Sequence, residues 1–309
     1  MKARAIVKIV ICSVVALLLI GILTVALFFG SAFKLPDILH IGASNSVSER
    51  YDESSFQKGD AEITQTVRSI EIHWESGSIH VSAYDGDSVK LRETGARTDD
   101  TMRWRCEDGK LIVHAHKSLF TFKLGGYKKD LELLLPVGIY NKLAFSTASA
   151  DITLEGDGLT FGELDADSAS GDLKVADCTV ESLSFDSASG ACSLSNCDVD
   201  SFDMDTASGE ADLDGSFRSI EIDSVSGALV LNTDIVPDEI SFDSTSGSAA
   251  VTLPADAAFR AELDSVSGKL RVSGFKADYS DDDVCYVGGK GAAEYDFNTV
   301  SGDVKIHAK

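Results

Sequence analysis

Six aspartates stand at matching places in a repeated phrase: Asp167, Asp186, Asp205, Asp223, Asp243 and Asp264, continued by Asn298. Each opens a run of the form Asp-Ser/Thr-x-Ser-Gly, closing on Gly171, Gly190, Gly209, Gly227, Gly247, Gly268 and, for Asn298, Gly302. If these phrases stack, the carboxylates line up about 5 Å apart. Each neighbouring pair then costs about 1 kcal/mol in water, and more where it is partly buried. Two chemistries would offset that repulsion. Each Asp can accept hydrogen bonds from hydroxyls or backbone N–H groups of its own turn. Alternatively, calcium can lie between the rungs, because hard cations favour ranked carboxylate and carbonyl oxygens.

The other reactive side chains are less organised. The Ser/Thr three before each glycine recurs in every copy and has no paired His, so it reads as a hydrogen-bonded ladder along the stack and not as a nucleophile. The six His are scattered; His114 and His116 alternate on one strand and read as surface residues. Cys178 and Cys197 both lie seven after their glycines. They share a column in successive copies and could form a disulfide outside the cytoplasm. Cys192 falls among the inward positions, Cys106 and Cys285 have no assigned partner, and the lack of a C-x-x-C argues against zinc. Asp281-Asp282-Asp283 lacks the calcium-loop pattern. Gly288-Gly289-Lys290-Gly291 lacks P-loop spacing. No catalytic set and no cofactor site stand out, and the chain reads as non-catalytic.

The elements that position these residues follow from the period. Counting Ala150 as the first, the motif residues fall at 150, 171, 190, 209, 227, 247 and 268, with a final gap to 302. Apolar residues sit seven and five before each, and two and four after, with polar residues between. Such alternation makes each half-repeat a strand with one buried face. The parity changes at Ser-Gly, where glycine would supply a backbone conformation that other residues resist. A unit of about 20 residues cannot bury its own face and must stack on its neighbours. The fold expected is all-β, a parallel β-solenoid or β-helix; an antiparallel roll or sandwich of hairpins is the alternative.

Ahead of the repeats, Lys2, Arg4 and Lys8 precede an uncharged apolar run from Ile9 to Phe29. This is long enough for a transmembrane helix, and the flanking charge keeps the N-terminus cytoplasmic. A cleaved signal peptide ending near Gly30-Ser31-Ala32 is the competing reading. The chain divides into a cytoplasmic tail (1–8), a membrane helix (9–30), a linker (31–60), degenerate cap rungs (61–140) and regular repeats (141–309) with an insertion at 275–293. The cap includes two expected rungs, around Gly77 and Gly109, and is rich in basic residues such as Arg103, Arg105, Lys128 and Lys129. That basic end is a candidate for docking on lipid headgroups or an anionic polymer. The last coil, Tyr295 to Ile306, is expected to close the array. The net charge is −23, which argues against nucleic-acid partners.

The repeated Asp-Ser-x-Ser-Gly-x-Leu-x-Val, the strand Leu133-Leu134-Leu135-Pro136 and the Gly-Gly insertion before Phe297-Asn-Thr-Val-Ser-Gly302 resemble the bacterial adhesin-like family of DUF4097 type. The resemblance covers about 60–309. It implies a membrane-anchored envelope protein of β-strand repeats that acts by binding, its C-terminal domain extracellular and its ligand an envelope polymer or a protein partner. An accessory of an envelope-stress sensing system is the alternative, and a carbohydrate-active β-helix enzyme a second. The family supplies no catalytic residues.

Overall fold

The computed structural model describes residues 53–95, 101–115, 129–281, 283–289 and 293–309. The apolar run at 9–30, His116, Lys128, Asp282 and Lys290 lie outside them. Among the described residues, a 3-10 turn (Glu53–Ser55) is followed only by strands. The first group is β1 (Gln57–Lys58), β2 (Ala61–Ile63), β3 (Ser69–Tyr84), β4 (Val89–Thr94), β5 (Arg103–Glu107), β6 (Lys110–His114) and β7 (Lys129–Pro136). The regular array follows: β8 (Gly138–Glu155), β9 (Leu159–Ser168), β10 (Leu173–Ala176), β11 (Thr179–Ser187), β12 (Cys192–Thr206), β13 (Ala211–Ser224), β14 (Leu229–Thr233), β15 (Glu239–Ser244) and β16 (Ala249–Leu253). The last group is β17 (Phe259–Ser265), β18 (Leu270–Ser273), β19 (Ala277–Asp281), β20 (Val284–Val287), β21 (Ala293–Thr299) and β22 (Val304–Ala308).

Through the array, successive rungs pair parallel and in register. Leu183 lies beside Leu164 on one side and Phe202 on the other, and Leu173 lies beside Ile152 and Cys192. The apolar columns read from the sequence are the core: Leu143, Leu164, Leu183, Phe202, Ile220 and Ile240 are all buried, as are their counterparts around each turn except Val272 of the terminal rung, which is half-buried. Stacking equivalent residues fills the interior without any one rung carrying a core of its own.

Rung order departs from chain order at both ends. β21 lies between β15 and β17, and β22 between β16 and β18. The last coil therefore does not close the array; it is inserted, and the rung of β17 and β18 is terminal. The final gap of 34 residues, from Gly268 to Gly302, is the chain going out to the end and returning. At the other end β3 lies between β8 and the outer pair β6 and β7.

Both ends carry antiparallel strands. The stretch around Gly109, expected as a rung, is a hairpin: β5 and β6 are antiparallel, joined by Asp108 (φ 51°) and Gly109 (φ 78°). Two positive φ values in an Asp-Gly pair are the signature of a tight hairpin turn, whose twist suits the flanking strands. β4 covers β7, β2 covers β4, and β1 pairs with β5, so strand pairing begins within the stretch read as linker. At the far end β20 covers β17 and β19 covers β20, so the 275–293 insertion is a capping hairpin.

The repeat glycines serve a purpose other than the one expected. Gly171, Gly190, Gly209, Gly227, Gly247, Gly268 and Gly302 do not adopt positive φ. A Cβ on Gly190 would lie 2.1 Å from the Gly171 carbonyl oxygen, and one on Gly209 would lie 2.0 Å from that of Gly190. Close approach of one rung to the next excludes a side chain, whatever the backbone angles. At Ala150 the corner is absent: β8 runs unbroken through it, as β3 runs through Gly77.

Candidate functional site: the acidic columns

Parallel in-register pairing places the six aspartates in one column, with Asp186 between Asp167 and Asp205, and Asp223 between Asp205 and Asp243. Asn298 does not extend the column; it lies between Asp243 and Asp264. A neutral amide thus separates two carboxylates, and Asn298 is hydrogen bonded to Asp243. The adjoining outward column, two residues earlier in each strand, reads Asp165, Ser184, Asp203, Glu221, Ser241, Asp296 and Glu262. Of these fourteen positions six plus five are acidic and none is Lys or Arg. Cations stand at the margins. Lys142 bonds Glu163 (2.9 Å) and Asp165 at one end, and Arg260 meets Glu262 and Asp296 (3.5 Å for the latter) at the other.

Burial and mutual repulsion act together on this face. Asp186 is pushed up to about 6, first by burial and then by Asp167 and Asp205. Asp223 is likewise pushed up to about 6, by burial and then by Asp243 and Asp205. Burial also raises Asp167, Asp203, Asp205 and Asp243. One carboxylate oxygen from each of Asp186, Asp203 and Asp205 lies within 4.8 Å of the others.

The turn hydrogen bonds bypass these aspartates. The glycine N–H donates instead to the hydroxyl three residues earlier: Gly171 to Ser168 (2.7 Å), Gly190 to Ser187 (2.7 Å), Gly209 to Thr206 (2.9 Å), Gly247 to Ser244 (2.8 Å) and Gly302 to Thr299 (3.0 Å). The hydroxyl column is therefore mainly a set of local turn locks, not the ladder expected along the stack. Thr147 to Ser168 (3.1 Å) is a hydroxyl–hydroxyl link between rungs. A second carboxylate group, missed from the sequence, binds backbone across rungs. Asp151 accepts from the Asp172 N–H (3.1 Å), Asp172 from the Ala191 N–H (2.9 Å), and Asp303 from the Lys269 N–H (3.0 Å). The signal was an acid directly after the motif position at 151, 172 and 303.

Cys178 and Cys197 are buried free thiols in successive rungs, as their shared column predicts. The Cys197 thiol donates to the Val175 (3.6 Å) and Ser195 (3.4 Å) carbonyls, and the proximity of the two thiols raises that of Cys178 and lowers that of Cys197. They line an open groove of about 260 Å³ together with Asp157, Asp177, Asp198 and Asp234. Cys192 is in the core, as expected, and Cys285 is also buried.

Of the basic cap residues, Lys128 lies outside the described residues, and two of the others already have acidic neighbours. Lys129 is buried and paired with Glu93 at 3.3 Å, and Arg105 faces Glu107 at 3.6 Å and the Phe56 ring. His114 is buried, edge-on to Phe56. Ser273 and His307 form an exposed pair at 2.6 Å.

Among solved structures, a "putative adhesin" from Bacteroides fragilis is 14% identical, covering 82% of this chain and 97% of its own, with a TM-score of 0.44. A "putative lipid binding protein" from Parabacteroides distasonis is 15% identical over the same shares, with a TM-score of 0.42. A "putative cell adhesion protein" from Clostridium sporogenes is 9% identical, covering 82% of this chain and 100% of its own, with a TM-score of 0.29. No curated protein matches the chain. The family model described as Toastrack DUF4097 matches residues 57–307, with the in-register rungs inside it, and the chain belongs to that family.

Proposed function

We propose that this chain is a single-pass, outward-facing protein of the cell envelope that acts by binding, as an adhesin does, through the acidic face of its solenoid. The apolar run at 9–30 and the basic residues before it support an anchor with a cytoplasmic N-terminus. One observation carries the binding reading: two adjoining columns hold eleven acids, no Lys and no Arg, on a rigid in-register scaffold. Among them, Asp167, Asp186, Asp203, Asp205, Asp223 and Asp243 are raised by burial, with repulsion added at several, so their partners do not offset that cost. A divalent cation, or the cationic groups of a ligand, would supply that offset. Calcium suits the oxygen-only set of Asp186, Asp203 and Asp205.

Thermal melting at pH 7.5 tests the cation. Millimolar calcium is expected to raise Tm by several degrees, and the raise is expected to vanish in the triple variant Asp186→Asn, Asp203→Asn, Asp205→Asn. A Tm indifferent to calcium and to chelator, with no calcium bound in calorimetry, would remove the cation from this reading. Adhesion is then tested by binding of the full chain to cell-wall material, with the same triple variant as control.

A further inference from the structure

We propose that the outer edge of β18 takes up an extended acidic segment of a partner protein as an added strand. This surface is separate from the acidic face and does not depend on the reading above. Among the described residues, β18 pairs with β22 alone. The equivalent strands β10, β14, β16 and β22 each have a parallel neighbour on both sides. β20 covers β17, so the capping hairpin closes one half of the terminal rung and leaves the other half open.

The direction of the backbone groups shows what the edge offers. The Lys269 carbonyl accepts from the Val304 N–H (3.0 Å), and the Lys269 N–H donates to Asp303 (3.0 Å), so the polar groups of residue 269 face β22. Strand groups alternate sides, so those of Leu270 and Val272 face outward. The Val272 N–H donates to the Tyr279 hydroxyl at 3.2 Å, and that tyrosine is 48% exposed. An incoming carbonyl can replace a surface hydroxyl at little cost. Apolar surface ends here too: Val266 is 58% exposed, whereas Ala169, its counterpart in an interior rung, is 5% exposed.

Charge selects the occupant. Lys269 and Arg271 are exposed on alternate positions of the edge, and Lys305 is exposed beside Arg271 on β22. Arg271 already meets Asp303 at 2.8 Å, which shows that the position accepts a carboxylate. Two copies joined edge to edge would bring the cations of both edges together, which disfavours a symmetric dimer. An acidic strand with small or aliphatic inward residues fits. The chain contains such a pattern in Glu210-Ala211-Asp212-Leu213-Asp214. Aligned with β18, it sets Glu210 and Asp212 beside Lys269 and Arg271, and Ala211 and Leu213 beside Leu270 and Val272.

The test uses fluorescence anisotropy of a labelled peptide, Gly-Glu-Ala-Asp-Leu-Asp-Gly, with the full chain. A second peptide carries N-methyl groups on its two Asp residues, keeping charge and side chains but losing the N–H groups that face the edge. Saturable binding is expected, at least tenfold weaker for the methylated peptide and at least fivefold weaker for the Arg271→Glu protein. Arg271 is exposed, so that variant should keep the parent Tm, and Lys269→Glu serves as a second variant if it does not. Equal binding of both peptides, with displacement by inorganic polyphosphate, would make the edge a general anion patch and overturn the proposal. No saturable binding of either peptide at millimolar concentration would overturn it as well.

Discussion

Asp186 and Asp223 put a sign on the pH dependence of stability. Their folded pKa values of about 6 lie above the value of about 3.9 for an unfolded-chain aspartate. Between those values the folded state holds more protons than the unfolded one, so stability falls as pH rises from about 4 to about 6 and the loss is complete above that. Without divalent cations, the contribution of these groups favours pH 5 over pH 7.5. Asp186→Asn should raise Tm at pH 7.5 and change little at pH 4.5. Allowing for solvent screening, the gain is about 1 kcal/mol, or about 2–4 °C for a domain of this size. Asn298→Asp should do the reverse, because it would set a third carboxylate between Asp243 and Asp264. Melts of both variants at the two pH values check the sign. The aspartate column was legible from spacing alone. The place of Asn298 within it was not, because register was read in chain order, and only strand pairing shows that the last coil returns inside the array.

At the scale of one rung, the glycine and the thiol pair make separate demands on the fold. Gly190→Ala would drive a methyl group into the Gly171 carbonyl, 2.1 Å from the ideal Cβ position. The rungs must part or shift, at a cost of about 3 kcal/mol, and a chemical-denaturation midpoint should fall accordingly. The same change at Ala150 already exists in the protein, where β8 passes straight through. Cys178 and Cys197 are placed so that an oxidant such as diamide should convert their two thiols to one disulfide, with loss of two protons and two electrons to the diazene. The expected readings are a mass lower by about 2 Da and a raised Tm, from a closed loop of about 20 residues. Cys197→Ser abolishes both, and an unchanged mass in the parent would exclude the bond. The alternation of buried and exposed residues was legible because one face of every strand is core. The hairpin at Asp108-Gly109 was misread because its apolar residues fit the rung columns; the Asp-Gly pair was the local evidence against a rung.

For the whole molecule, rung order decides how the ends contribute to stability. If the last coil were terminal, removing it would expose one further edge and leave the stack below intact. It is interior: β21 joins β15 to β17, and β22 joins β16 to β18. It also buries Tyr295, Phe297, Val304 and Ile306 in the common core, and the Tyr295 hydroxyl reaches the Pro237 carbonyl at 3.1 Å. Truncation after residue 292 therefore removes the layer between two others and strands the rung of β17 and β18. In a stack whose stability is a sum of neighbour contacts, losing an interior layer severs two interfaces where losing an end severs one. The truncated chain should lose amide protection in β15, β16, β17 and β18 together, whereas β9 to β12 stay protected. Hydrogen exchange read by mass spectrometry distinguishes this from fraying. Loss of protection confined to β17 and β18 would place the last coil at an end after all.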